Sequence, residues 1–343
     1  MINLRFHIVS IVAVFLALAV GIFAGSTLLD RATVNLVRSN QASLDAKNKA
    51  LRSENDTIRN LIEGIDSRSK EFGDSALDPL VGRQLRSDLI LLVATRGIDE
   101  KGVAAAVATL RNAGGSMLGI VWLDQRTDPG GADDAVRKLA AFVGLDSIDL
   151  SGAKHADSVA KVTTQLVDML ATPLESATAP GPPPTSGVAP VTSDALAGVL
   201  RRMVDAQLVD WESLTGGDQT PPDLPSAGVR AIVVSGEGAE VAPSRLIVPL
   251  VKAVSAKRAG VIVAELDHSR RLLDQANSKF RRGAVVDPLR GDDATAERTV
   301  TVDNLDQPFG RLALVLALAD LDQHPSGAYG ETSTAQRQFP GGS

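Results

Sequence analysis

Twenty-two consecutive residues, Ile8 to Leu29, carry no charge. A stretch of that length crosses a hydrocarbon core of about 30 Å as a helix, because a helix satisfies its own backbone where water is absent. Met1 to His7 ahead of it is short and basic, with Arg5 and His7, and no later stretch is long and apolar enough to span as a helix. Residues 1–29 therefore read as a membrane anchor for a water-facing remainder. Within the anchor, Ala13, Ala17, Gly21 and Gly25 fall every fourth residue. Such a stripe lets two membrane helices approach closely, although Ala and Gly are common in membrane helices generally. A cleaved signal peptide is the competing reading, with Ala17-Leu18-Ala19 as a cleavage-like triplet. The apolar run continues ten residues past that triplet, which favours an uncleaved anchor. An anchor so near the N-terminus acts as a start-transfer signal, so the body is expected outside the cytoplasm.

A heptad follows. Val37, Leu44, Leu51, Ile58, Ile65 and Phe72 are spaced seven apart. Taken as d positions, they put Val34, Gln41, Asn48, Asn55, Ile62 and Ser69 at a. A sustained seven-residue apolar repeat makes helices supercoil, and Asn at a favours parallel, in-register dimers at some cost in stability. Glu54 at g reaches Arg59 at e of a partner, whereas Lys47 facing Arg52 does not help. The expected interface is Val37, Leu44, Asn48, Leu51, Asn55 and Ile58; a single amphipathic helix folded back on the body is the other reading. Residues 30–73 would form a stalk, its helical part about 60 Å long at 1.5 Å per residue. Gly73, Asp74 and Pro79 end it.

The body, expected over 87–321, reads as α/β. Asp88–Thr95 and Ser116–Leu123 are continuous apolar runs, as in strands buried on both faces. Further strands are expected at Arg230–Val234, Gly260–Leu266 and Thr299–Val302. Helices are expected at Glu100–Asn112, Asp133–Phe142, Asp157–Leu170, Asp194–Val209, Ser244–Lys257, Arg270–Phe280 and Phe309–Leu321. The alternation implies a mostly parallel, doubly wound, Rossmann-like sheet with helices on both faces. Residues 172–190 hold six prolines and read as a linker or exposed loop. The tail, 322–343, is polar and reads as disordered.

The net charge of −6 opposes nucleic-acid binding, and the absence of cysteine removes disulfides, thiolate metal sites and Cys nucleophiles. Two Trp, one Tyr and eight Phe are too few for the aromatic girdles of a transmembrane barrel. Ligands of open α/β sheets bind beyond the carboxyl ends of the strands. That edge offers a candidate pocket of Thr95, Arg96, Asp124, Ser235, Glu237, Asp267 and His268. Ser235-Gly-Glu-Gly lacks the third Gly and the Lys-Ser/Thr of a nucleotide loop. Asp267-His268 beside a carboxylate has acid/base chemistry but is also ordinary surface. The four His and four Met are isolated, with no i,i+3 or i,i+4 pair to hold a metal. No catalytic residue, metal ligand or cofactor is assigned, and the chain reads as a non-enzyme.

Ile2 to Ser26 (INLRFHIVSIVAVFLALAVGIFAGS) resembles the opening signature of the actinobacterial MctB family, described as mycobacterial copper-transport outer-membrane proteins. The order of a coiled coil and an α/β body with Val93-Ala-Thr-Arg-Gly97 after its first strand is similar too. The resemblance implies copper efflux across the envelope, with copper as the transported ion and a pore-forming oligomer as one form. A corynebacterial relative implies the alternative, an envelope scaffold that regulates a cell-wall enzyme during division. The expected partners are thus a membrane, a second copy of the chain in a parallel homodimer or higher oligomer, and an envelope protein. The outer membrane follows from the family description; the inner membrane fits the residues equally.

Overall fold

The computed structural model describes residues 4–85, 88–145, 147–177, 195–214, 220–222, 228–266, 283–330, 332 and 334–340. It divides into two compact units, Met1–Arg68 and Ser69–Ser343. The first is most of a single helix, α1 (Leu4–Ser75), which is unbroken between the apolar segment and the heptad. Gly64 interrupts neither its path nor its hydrogen bonding, since no Pro follows to remove a donor.

The second unit contains the last turns of α1 and then α2 (Leu77–Val81), β1 (Leu89–Thr95), α3 (Glu100–Asn112), β2 (Ser116–Leu123), a 3-10 turn (Gln125–Thr127), α4 (Asp133–Phe142), α5 (Lys154–Ala177), α6 (Ala195–Asp205) and β3 (Val209–Ser213). It continues through β4 (Val229–Gly236), α7 (Ile247–Lys257), β5 (Val261–Leu266), α8 (Val286–Arg290), α9 (Asp293–Ala296), β6 (Thr299–Val302), α10 (Pro308–Asp320) and β7 (Gly327–Tyr329). The strands form one sheet in the order β3-β2-β1-β4-β5-β6-β7. Every pairing is parallel except β2 with β3.

Alternation along β1 feeds two cores. Leu91 and Val93 point to the face covered by α4, α5, α6 and α7, with Leu139, Leu166, Met203 and Val251. Ile90, Leu92 and Ala94 point to the face covered by α2, α3 and α10, with Val81, Leu110 and Val315. A strand buried on both faces has no polar side to alternate with, which is why these runs are continuously apolar. Local signals set the helix ends. The Asp99 side chain accepts from the Lys101 amide at the start of α3, and Pro308 begins α10 where no donor is needed.

Four expectations are revised. Asp194–Val209 is not one helix: α6 stops at Asp205, Gln207 takes a left-handed φ of 55°, and Val209–Ser213 turns back as the antiparallel edge strand. The body begins before residue 87, since Leu77, Val81 and Leu85 are buried in the second core. Helix α5 runs on to Ala177, into the expected Pro-rich loop; the remainder of 172–190 and the expected helix Arg270–Phe280 lie outside the described residues. The tail is not disordered throughout, because Gly327–Tyr329 is the seventh strand and Tyr329 is buried.

Candidate functional site

Two surfaces carry the candidate residues, one in each unit. In the first unit, Phe6–Gly25 is a 20-residue span of mean hydropathy 2.7, with none of it buried by the rest of the chain. Ala13, Ala17, Gly21 and Gly25 lie along it as the spacing requires. A Cβ added at Gly21 or Gly25 would meet nothing within 4 Å. Further along α1 come Val37, Leu44, Asn48, Leu51, Asn55 and Ile58. Leu44, Leu51 and Ile58 are 59%, 56% and 43% exposed, and Asn48 and Asn55 are exposed between them. The described large apolar side chains that stand exposed all lie on α1, except Leu80.

In the second unit the strand order reverses direction at β1, between β2 on one side and β4 on the other. Ligands of open α/β sheets enter at such a point, beyond the strand ends. Here Thr95 ends β1 and Ser235 lies one residue from the end of β4. Their hydroxyls are 2.9 Å apart, and both residues are fully buried. Above them the crevice is shut by backbone. Gly97 and Gly238 both have φ of +86°, and a Cβ at Gly97 would collide with the Gly238 carbonyl oxygen and lie 3.0 Å from the Glu240 amide nitrogen. The Glu240 amide donates to the Arg96 carbonyl at 2.7 Å, joining the two loops. Only glycine reaches that backbone conformation without strain and permits that approach.

The polar groups that a switch-point ligand would need are diverted sideways, over β2 and β3. Arg96, Trp122, Arg126, Gln207, Asp210 and Glu212 line a cleft of about 660 Å³ there. Arg96 lies over the Trp122 ring, 4.1 Å from its centroid, and bonds Glu100 at 2.7 Å. Trp122 Nε1 donates to Glu212 at 2.7 Å. Arg126 Nε donates to both Asp124 oxygens at 2.9 and 2.7 Å, while Nη2 reaches Asp210 at 2.7 Å. The hydrogen bond that Arg126 donates to Asp124, aided by the one to Asp210, holds the guanidinium protonated more firmly than usual against the opposing pull of burial. Arg96 and Arg126 are paired with Glu100, Asp124 and Asp210, and Glu212 is held by the Trp122 indole, so the arrangement is a partly exposed salt-bridge network whose cations are already engaged.

Of the seven strand-end candidates, Thr95 and Ser235 meet but are sealed. Arg96 lines the lateral cleft, Asp124 is buried beside it and holds Arg126, Glu237 is exposed in its loop, and Asp267 and His268 lie outside the described residues. Arg126, Asp210 and Glu212 were missed; the Val-Asp-Trp-Glu alternation of 209–212 was the available signal for a two-sided strand beside Asp124. Among the described residues no group of three or more His, Cys, Asp or Glu is disposed to hold a metal ion.

A buried polar hub sits at the far end of the same strand edge. Arg290, its side chain 4% exposed, bonds Asp303 at 2.8 Å, and the Asp303 side chain is 1% exposed. The same guanidinium donates to Thr301, Thr332, Thr334 and the Tyr329 carbonyl. A buried charge is tolerated only when paired and hydrogen-bonded in this way. Next to it, the Glu265 carboxylate accepts the amides of Ala284 and Val286 at 2.6 and 2.9 Å, ahead of and within α8.

The family model described as "Copper transport outer membrane protein, MctB" matches residues 1–340. Proteins named copper transporter MctB from Mycobacterium tuberculosis and Mycobacterium bovis are 26% identical over 322 residues, which is 94% of this chain and 93% of theirs. The protein of that name from Mycobacterium leprae is 25% identical over 321 residues, again 94% of this chain and 93% of its own.

Proposed function

The chain belongs to the MctB family, and from that premise we propose that it serves copper transport in the cell envelope as a membrane-anchored parallel dimer. Phe6–Gly25 crosses the bilayer, Val37–Ile58 pairs with a second copy as a coiled coil, and the body stands outside the cytoplasm. The observation that carries this reading is the confinement of exposed large apolar side chains to α1, Leu80 apart. Apolar side chains left in water are costly by about 1.5–3 kcal/mol each when burial is available. Those of Phe6–Phe23 have lipid to enter, and Leu44, Leu51 and Ile58 have each other across a dimer. Asn48 and Asn55 fix the register by pairing at the same level.

The body of this dimer is a Rossmann-like, doubly wound domain; the reversal of strand order at β1 supports that classification. Copper is cargo in this reading, and a conduit for it, if built from this chain, is built from α1 in an oligomer, along the Ala13-Ala17-Gly21-Gly25 stripe. A second reading has a specific support in the exposed ridge itself. The same seam, with Glu54 and Arg59 beside it, suits an envelope protein that brings its own coiled coil, as a scaffold controlling a cell-wall enzyme would.

Two measurements test these readings. The chain has no cysteine, so Leu51→Cys in the full chain in membranes gives an unambiguous cross-link on oxidation, and Ser53→Cys on the outward side serves as control. Cross-linking of the first and not the second is expected; equal behaviour of the two removes the dimer. Deletion of the gene is expected to raise cell copper. Unchanged copper with altered septation would transfer the assignment to the scaffold.

A further inference from the structure

The last turns of α1 do not simply run into the body. Phe72 stacks on Phe309 of α10, with ring centroids 4.5 Å apart and planes 13° apart. Ser69 Oγ donates to Gln307 Oε1 at 3.0 Å, and a Cβ at Gly73 would lie 2.8 Å from Pro308 Cγ. The root of the helix is therefore seated on the first turn of α10 over about two of its own turns. Behind Phe309 stands a third ring, Phe339, 6.2 Å away and tilted by 50°. Phe339 comes from the stretch 322–343, whose polar composition would leave it free.

What brings it there is the buried hub. Arg290 ties Thr332 and Thr334 to Asp303, and the Thr334 hydroxyl donates in turn to Asp287. The Gln336 and Arg337 amides both donate to the Ala328 carbonyl, and the Gly330 amide donates to the Arg337 carbonyl, so the chain doubles back along β7. A Cβ at Gly330, which has φ of +130°, would run into the Asp303 carboxylate, so the turn fits only glycine. Phe339 emerges from that fold against Phe309.

We propose that the stretch that follows β7 and ends at Phe339 is a latch on the root of α1. Arg290 and Asp303 hold the latch closed over the ends of β6 and β7, and Phe339 backs the Phe72–Phe309 stack. Opening it loosens residues 69–75 from α10 while leaving the strands in place, because beyond Tyr329 the stretch adds no buried side chain to either core and Phe339 packs on the second core from outside. The seating of the α1 root is thus set by residues more than 250 positions later in the chain. This holds whichever cargo or partner the protein serves.

Hydrogen exchange on the full-length protein in detergent micelles tests it, following the amides of residues 72–76 and, as an internal reference, those of β1. Phe339→Ala is expected to speed exchange at 72–76 by about three- to tenfold, the factor that accompanies loss of an aromatic pair contact, with β1 unchanged. The double change Thr332→Ala and Thr334→Ala, which keeps the ring but frees the stretch from Arg290, is expected to act in the same direction. Phe339→Tyr, retaining the ring, is expected to exchange like the parent. Unchanged rates at 72–76 in both loosened variants would overturn the latch. Equal acceleration of β1 and 72–76 would overturn it as well, since the effect would then be global.

Discussion

Gly97→Ala is the sharpest test of the closed crevice at the strand switch. The substitution meets two penalties. Its φ of +86° is left-handed, which costs a residue bearing a Cβ about 1–2 kcal/mol. Its Cβ would also strike the Gly238 carbonyl, a backbone atom unable to rotate away, and overpacking of that kind costs about 1–3 kcal/mol. The expected loss is about 2–5 kcal/mol. Gly238→Ala supplies the control, having the same φ of +86° but a nearest neighbour, the Gly97 carbonyl oxygen, at 3.3 Å. It should lose only about 1–2 kcal/mol. Urea unfolding of the full chain in micelles, followed by tryptophan fluorescence, reads the difference cleanly. The two tryptophans, Trp122 and Trp211, are both buried in the body, 3% and 5% exposed, so the anchor helix is silent. If Gly97→Ala costs under about 0.5 kcal/mol, or no more than Gly238→Ala, the two loops are not in contact and the reasoning that closes the site fails.

Other outcomes follow from the same geometry. Asp303→Ala leaves the Arg290 guanidinium buried without its partner and is expected to cost about 3–5 kcal/mol in the same unfolding assay; a loss under about 1 kcal/mol would mean that the hub is hydrated. Leu51→Asp is expected to abolish the mass of a dimer in analytical ultracentrifugation of the micellar protein while the urea midpoint of the body is unchanged; a persistent dimer would place the interface elsewhere. Burial pushes the Asp88 carboxyl above the usual carboxylate range, Arg230 pulls it back and Asp322 adds to the rise. Its folded form then holds a proton more tightly than its unfolded form, so its contribution to stability is present at low pH and is lost as pH rises through the carboxylate range. Asp88→Asn is therefore expected to raise Tm more at about pH 7 than at about pH 3.5, and equal gains at both would contradict the burial argument.

The contrast between what was legible and what was not follows the range of the interactions. Asp88–Thr95 and Ser116–Leu123 announced strands because burial on both faces writes itself into every residue of a run. The N-terminal apolar helix was legible for the same reason, its side chains being apolar on every face along Phe6–Gly25. Val209–Ser213 was absorbed into the preceding helix because five residues are too few for alternation to outweigh a strong helical run, and Gln207 carries no glycine to mark the break. Thr95 and Ser235 do meet, since the order of strands brings their carboxyl ends together. Whether the space between them is open depends on Gly97 meeting Gly238, 141 positions away, which no local pattern records. The tail failed in the same way. Thr332 and Thr334 look like solvent-loving loop residues until Arg290, more than 40 positions earlier, is placed beneath them.

That last arrangement bears on how the chain is made. Arg290 reaches Tyr329, Thr332 and Thr334 about 40 positions later in order of synthesis, and the edge of the sheet that they close includes β7. A growing polypeptide can assemble β1, β2 and β4 while it is still being extended. It cannot complete the hydrogen bonding of the Arg290 guanidinium until Thr334 has emerged, nor back the Phe72–Phe309 stack until Phe339 has. Closure of that edge therefore waits on residues made after the strands it covers, and until they arrive the buried Arg290 charge lacks part of its final setting.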